Sequence, residues 1–169
     1  MRIRPTLERD IPWLPALERS AAQAFADWPA LAWLAQANVL DVDAHRAFVA
    51  AGASWVADDL QGHVLGFACA RFERQALHLC EISVRRQAQG QGVGRALLRQ
   101  VVDAARQAGA RELTLTTFAD VPWNAPFYAR FGFERIDEER LDTRLRGILA
   151  DELAHGLVGR CAMRLGLGQ

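Results

Sequence analysis

The chain has 169 residues, 51% of them apolar and 24% charged, with 20 Lys and Arg against 20 Asp and Glu. That length suits one domain able to bury a core, so a single domain over residues 1–169 is expected. Balanced charge excludes recruitment of nucleic acid or an anionic membrane by a global field, and no apolar run reaches membrane-spanning length.

The amino terminus, Met1-Arg2-Ile3-Arg4-Pro5, lacks the apolar stretch of a signal peptide. Cys69, Cys80 and Cys161 sit in apolar runs without Cys-x-x-Cys spacing, which favours reduced, buried thiols and a cytoplasmic protein. The four histidines are scattered, so no metal site is expected. In chain order, Ile3–Pro5 reads as a short strand. Ile11, Leu14, Leu17 and Ala21 then recur at helical spacing behind Asp10 as an N-cap. Residues 25–40 are less regular and carry Trp28-Pro29 and Trp33. A second helix starts at Asp41 or Asp43, runs through Phe48 and stops at Gly52.

From there the pattern becomes strand-like. Residues 54–57 and 63–72 flank the turn Asp58-Asp59-Leu60-Gln61-Gly62, which predicts an antiparallel hairpin. Leu77–Val84 is a third strand, followed by a polar, glycine-rich loop from Arg85 to Gly92. Leu97, Leu98, Val101, Val102 and Ala105 predict an amphipathic helix ending at Gly109. Glu112–Phe118 alternates as a strand. Asn124–Phe131 reads as a short helix, Gly132-Phe133 leads into another strand, and Leu141, Leu145, Ile148, Leu149 and Leu153 mark a further amphipathic helix. Cys161–Leu165 is the last strand. The expected fold is α+β, with one strand–helix–strand crossover at the centre of a mixed sheet.

The densest chemical signal is Gln89-Gly90-Gln91-Gly92-Val93-Gly94-Arg95, between a strand and a helix. The first turn of a helix offers unpaired N–H groups and partial positive charge, hence an anion site. Glycines let the backbone approach a phosphate without a Cβ in the way. Arg95, with Arg85 or Arg86, could add charge. A dinucleotide fingerprint needs Gly-x-Gly-x-x-Gly, but Arg95 stands where the third glycine belongs; a P-loop needs Gly-Lys-Ser/Thr, which is absent. A glycine turn with no ligand is the plain alternative.

Here the sequence resembles the GNAT superfamily of acetyltransferases. Gln89-x-x-Gly92-x-Gly94 matches its pyrophosphate motif, Glu81-Ile82-Ser83-Val84 the strand end before it, and Phe127-Tyr128-x-x-Phe131-Gly132-Phe133 its second signature. The resemblance covers roughly Ile3 to Arg135. It implies a mostly antiparallel sheet of six to seven strands flanked by helices, with one splayed parallel pair. It also implies acetyl-CoA as acetyl donor, its diphosphate held by residues 89–95 and its pantetheine arm by the backbone of Ile82, Ser83 and Val84. The N–H of Ile82 or Val84 would then polarise the thioester carbonyl.

Tyr128, the only tyrosine, falls where that family places its general acid, and a phenol is protonated at neutral pH. Glu81 stands where relatives often carry a catalytic carboxylate, and His78 where some use a histidine. In a regular strand residues 78 and 81 face opposite sides, so one of them should reach the acceptor unless a bulge intervenes. Plain readings are a packed aromatic, a surface carboxylate and a strand histidine. Many relatives bind pantetheine through an Asn seven residues before the tyrosine; that position is Val121 here. Asn124 is thus a cofactor-binding candidate whose favoured role is capping the short helix.

By the same resemblance the acceptor pocket takes in Asp27, Trp28 and Trp33, with Trp123 near Tyr128. Aromatic faces with a carboxylate can hold an ammonium, while core filling or a dimer interface is the favoured reading of the tryptophans. The helix over residues 141–153 could wall the pocket or pair two subunits as a homodimer. The expected activity is acetyl transfer to a primary amine, small molecule or peptide. The alternatives are an acyl-CoA sensor without turnover and a different acyl donor.

Overall fold

Strand β1 (Arg2–Pro5) pairs antiparallel with β2 (Ser54–Asp58), and β2 with β3 (Val64–Phe72), in the computed structural model, which describes residues 1–168. With β4 (Ala76–Val84), β5 (Glu112–Phe118), β6 (Glu134–Arg135) and β7 (Arg160–Gly166) they form one mixed sheet in the order β1-β2-β3-β4-β5-β7-β6. The sheet has seven strands, as the resemblance implied. Its one parallel ladder among those described, β4 with β5, pairs Ala76, Leu77 and His78 with Glu112, Leu113 and Thr114. The helices are α1 (Leu14–Ala22), α2 (Val42–Ala50), α3 (Val93–Gln107), α4 (Ala125–Phe131) and α5 (Thr143–Ala154). None is long and apolar enough to cross a membrane, among the described residues.

The chain divides into two compact units, the first formed by Met1–Arg71 and Cys80–Ala104, the second by Phe72–Leu79 and the chain from Ala105 onward. In the first, Leu14 and Leu17 of α1 pack with Val56, Phe67 and Cys69, and Leu40 and Phe48 close over that cluster. Asp41 caps α2 by accepting the Ala44 N–H at 2.8 Å, and Gly52 ends it at φ +68°. Asp10 is not the expected N-cap. It lies inside a 3-10 turn (Glu8–Trp13), where its carboxylate accepts the Leu7 N–H at 2.8 Å and pairs with Arg4 at 2.6 Å. A buried carboxylate is stable only when paired, so Arg4 rather than the helix start decides its orientation.

In the second unit β5 and β7 pair over all seven residues. Leu145 is the one fully buried leucine of α5, and Leu153 is 61% exposed, so α5 is less amphipathic than its spacing predicted. Polar contacts fix it instead: Glu152 accepts from Thr116 Oγ1 at 2.6 Å and from Arg160, whose guanidinium also covers the Phe118 ring. Cys69 and Cys161 are buried free thiols, and burial raises both above the ordinary thiol range.

Asp58 gives a stability test in the first unit. It is buried, bonded to Arg2 at 2.9 Å and Arg4 at 2.8 Å, and the Arg2 hydrogen bond first, then Arg4, hold its carboxyl down at about 2 against the burial that would raise it. A depressed carboxyl contributes stability above its unfolded value, and that contribution is lost as pH falls from the ordinary range near 4 through about 2. Asp58→Asn is therefore expected to cost about 1–3 kcal/mol at pH 7. Denaturant melts at descending pH should show the gap to the parent closing below pH 4; a gap independent of pH would refute the ion-pair account.

Candidate functional site

The end of β4, the loop after it and the start of α3 all lie in the first unit. Arg85 N–H donates to the Leu65 carbonyl at 2.8 Å, holding the chain as it leaves the strand, and a 3-10 turn (Arg86–Ala88) follows. Gly90 and Gly92 adopt φ +74° and +83°, a region that L side chains avoid. The Gly92 carbonyl accepts the Ala96 N–H at 3.0 Å, so the N–H groups of Val93, Gly94 and Arg95 belong to the first helical turn, which has no internal acceptor for them. A Cβ built on Gly90 or Gly92 would meet nothing within 4 Å. The two glycines thus have open space at their Cβ positions, and the helical turn that follows them carries N–H groups without internal acceptors. That arrangement suits a diphosphate.

Side chains brace this loop rather than face the open space. Gln89 Nε2 donates to the Val84 carbonyl at 3.0 Å and the Ala21 carbonyl at 3.3 Å, while its Oε1 accepts from Arg86 at 2.9 Å. Gln91 Nε2 donates to the Gln87 carbonyl, and Arg85 Nε to that of Val64. Ser20 Oγ accepts the Arg86 N–H at 3.1 Å, a second tie between the end of α1 and the loop. Arg95 by contrast is exposed. Gly66, which sequence reasoning passed over, has a different duty: a Cβ there would sit 2.8 Å from the Ser83 carbonyl oxygen. A glycine inside a strand signals such an approach.

Beside this loop stands a carboxylate that the sequence reading missed. Glu18 of α1 is half-buried, and one of its carboxylate oxygens accepts the Leu40 N–H at 3.1 Å. Its carboxyl is pushed up to about 8, by burial first and then by the charge of Glu81, while Leu40 N–H and Arg19 pull the other way. Glu81, on β4, accepts from Ser83 Oγ at 2.9 Å. Cys69 of β3 feels both carboxylates. A signal for Glu18 existed: it is four residues after Leu14 and seven after Ile11, hence on the apolar face of the helix.

The second unit holds the other candidates. His78 is buried, with Nδ1 2.9 Å from Thr114 Oγ1, and the same hydroxyl accepts from Arg144 Nη2 at 3.2 Å. That is an interior setting. Tyr128 is 8% exposed, with its ring edge-on to Phe127 and Phe133 at 5.2 and 5.6 Å. Asn124 stands at the N-cap of α4, but its side chain makes no cap. Its Oδ1 instead accepts from Thr117 Oγ1 at 3.0 Å and Phe118 N–H at 3.4 Å, tying the helix to the end of β5, while its carbonyl accepts the Phe127 and Tyr128 N–H groups. Two β5 donors hold the side-chain oxygen, while the backbone of Asn124 sits at φ −112° and ψ −112°. Trp123 is 40% exposed and Trp33 45%, so neither fills the core; Trp28 is partly buried and Asp27 exposed in the first unit.

An open mixed sheet whose central strand runs through a glycine loop into a helix N-terminus defines a class of anion-binding α+β proteins. The chain belongs to the acetyltransferase (GNAT) family, whose model matches residues 15–133. Three solved structures share the fold. Rv2747 from Mycobacterium tuberculosis, in complex with CoA and NLQ, is 18% identical with TM-score 0.73, over 99% of this chain and 100% of that one. The ribosomal-protein-alanine N-acetyltransferase from Brucella melitensis is 22% identical with TM-score 0.69, over 99% and 100%. The protein yncA from Salmonella typhimurium, with its cofactor acetyl-CoA, is 20% identical with TM-score 0.69, over 100% and 95%.

Proposed function

We propose that this chain moves an acetyl group from acetyl-CoA to a primary amine, small molecule or peptide, by direct transfer. Acetyl-CoA supplies the acetyl group as a thioester, activated toward amines. The observation that carries the reading is the first helical turn at Val93–Arg95, with N–H groups that lack internal acceptors, directly after the positive-φ glycines 90 and 92. Backbone groups from Gln89 to Arg95 would hold the diphosphate, and those of Ile82, Ser83 and Val84 the pantetheine arm, with an N–H of Ile82 or Val84 polarising the carbonyl. Glu81 is favoured over His78 as the proton acceptor, because His78 is 5% exposed and engaged by Thr114. Tyr128 protonates the departing sulfur. Asp27, Trp28, Trp33 and Trp123 are candidate acceptor contacts, supported by the partial exposure of the three tryptophans. Asn124 acts on the coenzyme only indirectly, by seating α4.

Gly92→Val tests the cradle. A β-branched residue at φ +83° strains the backbone by roughly 1–2 kcal/mol and forces the N–H groups out of line. Gly62→Val, at φ +87° in the turn after β2, imposes similar strain away from the loop. Calorimetry is expected to give at least about a tenfold loss of acetyl-CoA affinity in the first variant and little change in the second. Equal affinities in both would overturn the assignment.

A further inference from the structure

We propose that His45 is an acid-released latch: as the neutral ring it seats α2 on the core, and as the cation it lets α2 lift away. The latch stands apart from the transferase reading. His45 is 0% exposed and is the one buried side chain of α2 among the described residues. It stands edge-on to Phe67 of β3, with ring centroids 4.9 Å apart. Neither Nδ1 nor Nε2 has a hydrogen-bond partner among the described residues. Buried polar atoms are nearly always paired, so a helix anchored by a bare imidazole is less firmly held than one anchored by a leucine. What the imidazole adds is a charge that switches within the physiological range.

The other α2 side chains are half-buried or exposed. Phe48 packs on the Leu14–Phe67 cluster, as does Leu40 beside the Asp41 cap, so a lift of α2 opens that side of the core to water. Arg46 pairs with Glu8 and Asp43, but all three side chains are at least half exposed, and such pairs contribute little. The titratable groups on the elements packed against α2 are Glu8, Arg9 and Asp10 of the 3-10 turn, Glu18 and Arg19 of α1, Asp58 of β2, and Cys69 and Arg71 of β3. Asp10 and Asp58 are committed to Arg4, burial keeps the Cys69 thiol uncharged, and Arg9, Arg19 and Arg71 are exposed. None of them accepts a hydrogen bond from the ring.

Burial holds the seated imidazole below its ordinary 6.5, while the charge of Asp41 pulls the other way. A lifted ring in water takes up its proton near 6.5, a proton that the seated ring refuses. The seated form therefore keeps its full advantage above that pH. Below it, the lifting equilibrium gains up to about tenfold per pH unit until the seated ring protonates too.

The test is amide hydrogen exchange on the full chain, parent and His45→Leu, corrected for the intrinsic effect of pH. Leucine has nearly the volume of histidine and no charge to switch. From pH 7 to pH 5, α2 amides of the parent should lose at least about fivefold more protection than those of the variant, while α3 amides lose no more in one than in the other. The difference between the two proteins cancels titrations elsewhere, that of Glu18 included. Equal losses over α2 in both proteins overturn the latch, and so does a parent in which α3 opens in step with α2. Should His45→Leu not fold, the ¹³C ring resonances of His45 in the parent decide alone. An inflection below 6.5 that coincides with the loss of α2 protection supports the latch; titration at 6.5 or above with α2 still protected refutes it.

Discussion

Tyr128→Phe is expected to lower thiol release from acetyl-CoA about 10²–10³-fold while leaving acetyl-CoA affinity within about twofold. The ring of Tyr128 packs edge-on against Phe127 and Phe133, and phenylalanine keeps both contacts, so the fold should survive with a melting temperature within a few degrees of the parent. What the variant removes is a phenolic hydroxyl, a donor that can give its proton as charge grows on the sulfur. The split between turnover and binding is the diagnostic. Packing damage would move stability and turnover together, whereas a missing acid moves turnover alone. Full activity in this variant would take Tyr128 out of the mechanism.

The second large effect is expected at Gly66. A methyl group there would lie 2.8 Å from the Ser83 carbonyl oxygen and 3.2 Å from Leu97 Cδ1 and Val93 Cγ1. The leucine and valine tips can yield, but the carbonyl belongs to β4 and cannot rotate away. Overpacking of this kind costs about 1–3 kcal/mol, or roughly 2–12 °C for a chain of this size. The strain lands on the proposed pantetheine wall and the first turn of α3, so acetyl-CoA affinity should fall as well. Gly147→Ala on α5 is the control: nothing lies within 4 Å of its Cβ, and it should be neutral or slightly stabilising. Gly66→Ala with unaltered melting and unaltered coenzyme affinity would show that the β4 end tolerates displacement.

Some of this was legible from residues alone because local chemistry decides it. Strand β5 appears at its expected bounds, since Leu113 and Leu115 alternate with Thr114 and Thr116 in a period no helix shares. Helix α2 begins at Asp41 because the carboxylate serves a donor three residues on. The helix after the glycine loop ends before Gly109, at φ +72°, for an equally local reason. By contrast, Asp10 and Asn124 both carry good capping chemistry, yet neither side chain caps its helix. Arg4 and the Leu7 N–H hold the first, and Thr117 and Phe118 hold the second, so donors that precede each residue took the oxygen in place of the helix turn that follows it.

By itself the sequence determined the order of elements, the glycine loop at 90–92 and the two motifs that mark the family, because these depend on residue spacing and backbone freedom. Only the tertiary structure decided that Glu18 accepts the Leu40 N–H, that His78 is an interior partner of Thr114, and that Gly66 lets β3 and β4 approach. Each of those joins residues at least 17 positions apart in the chain. A carboxylate on the apolar face of a helix looks like an interruption until a backbone donor 22 residues further on meets it.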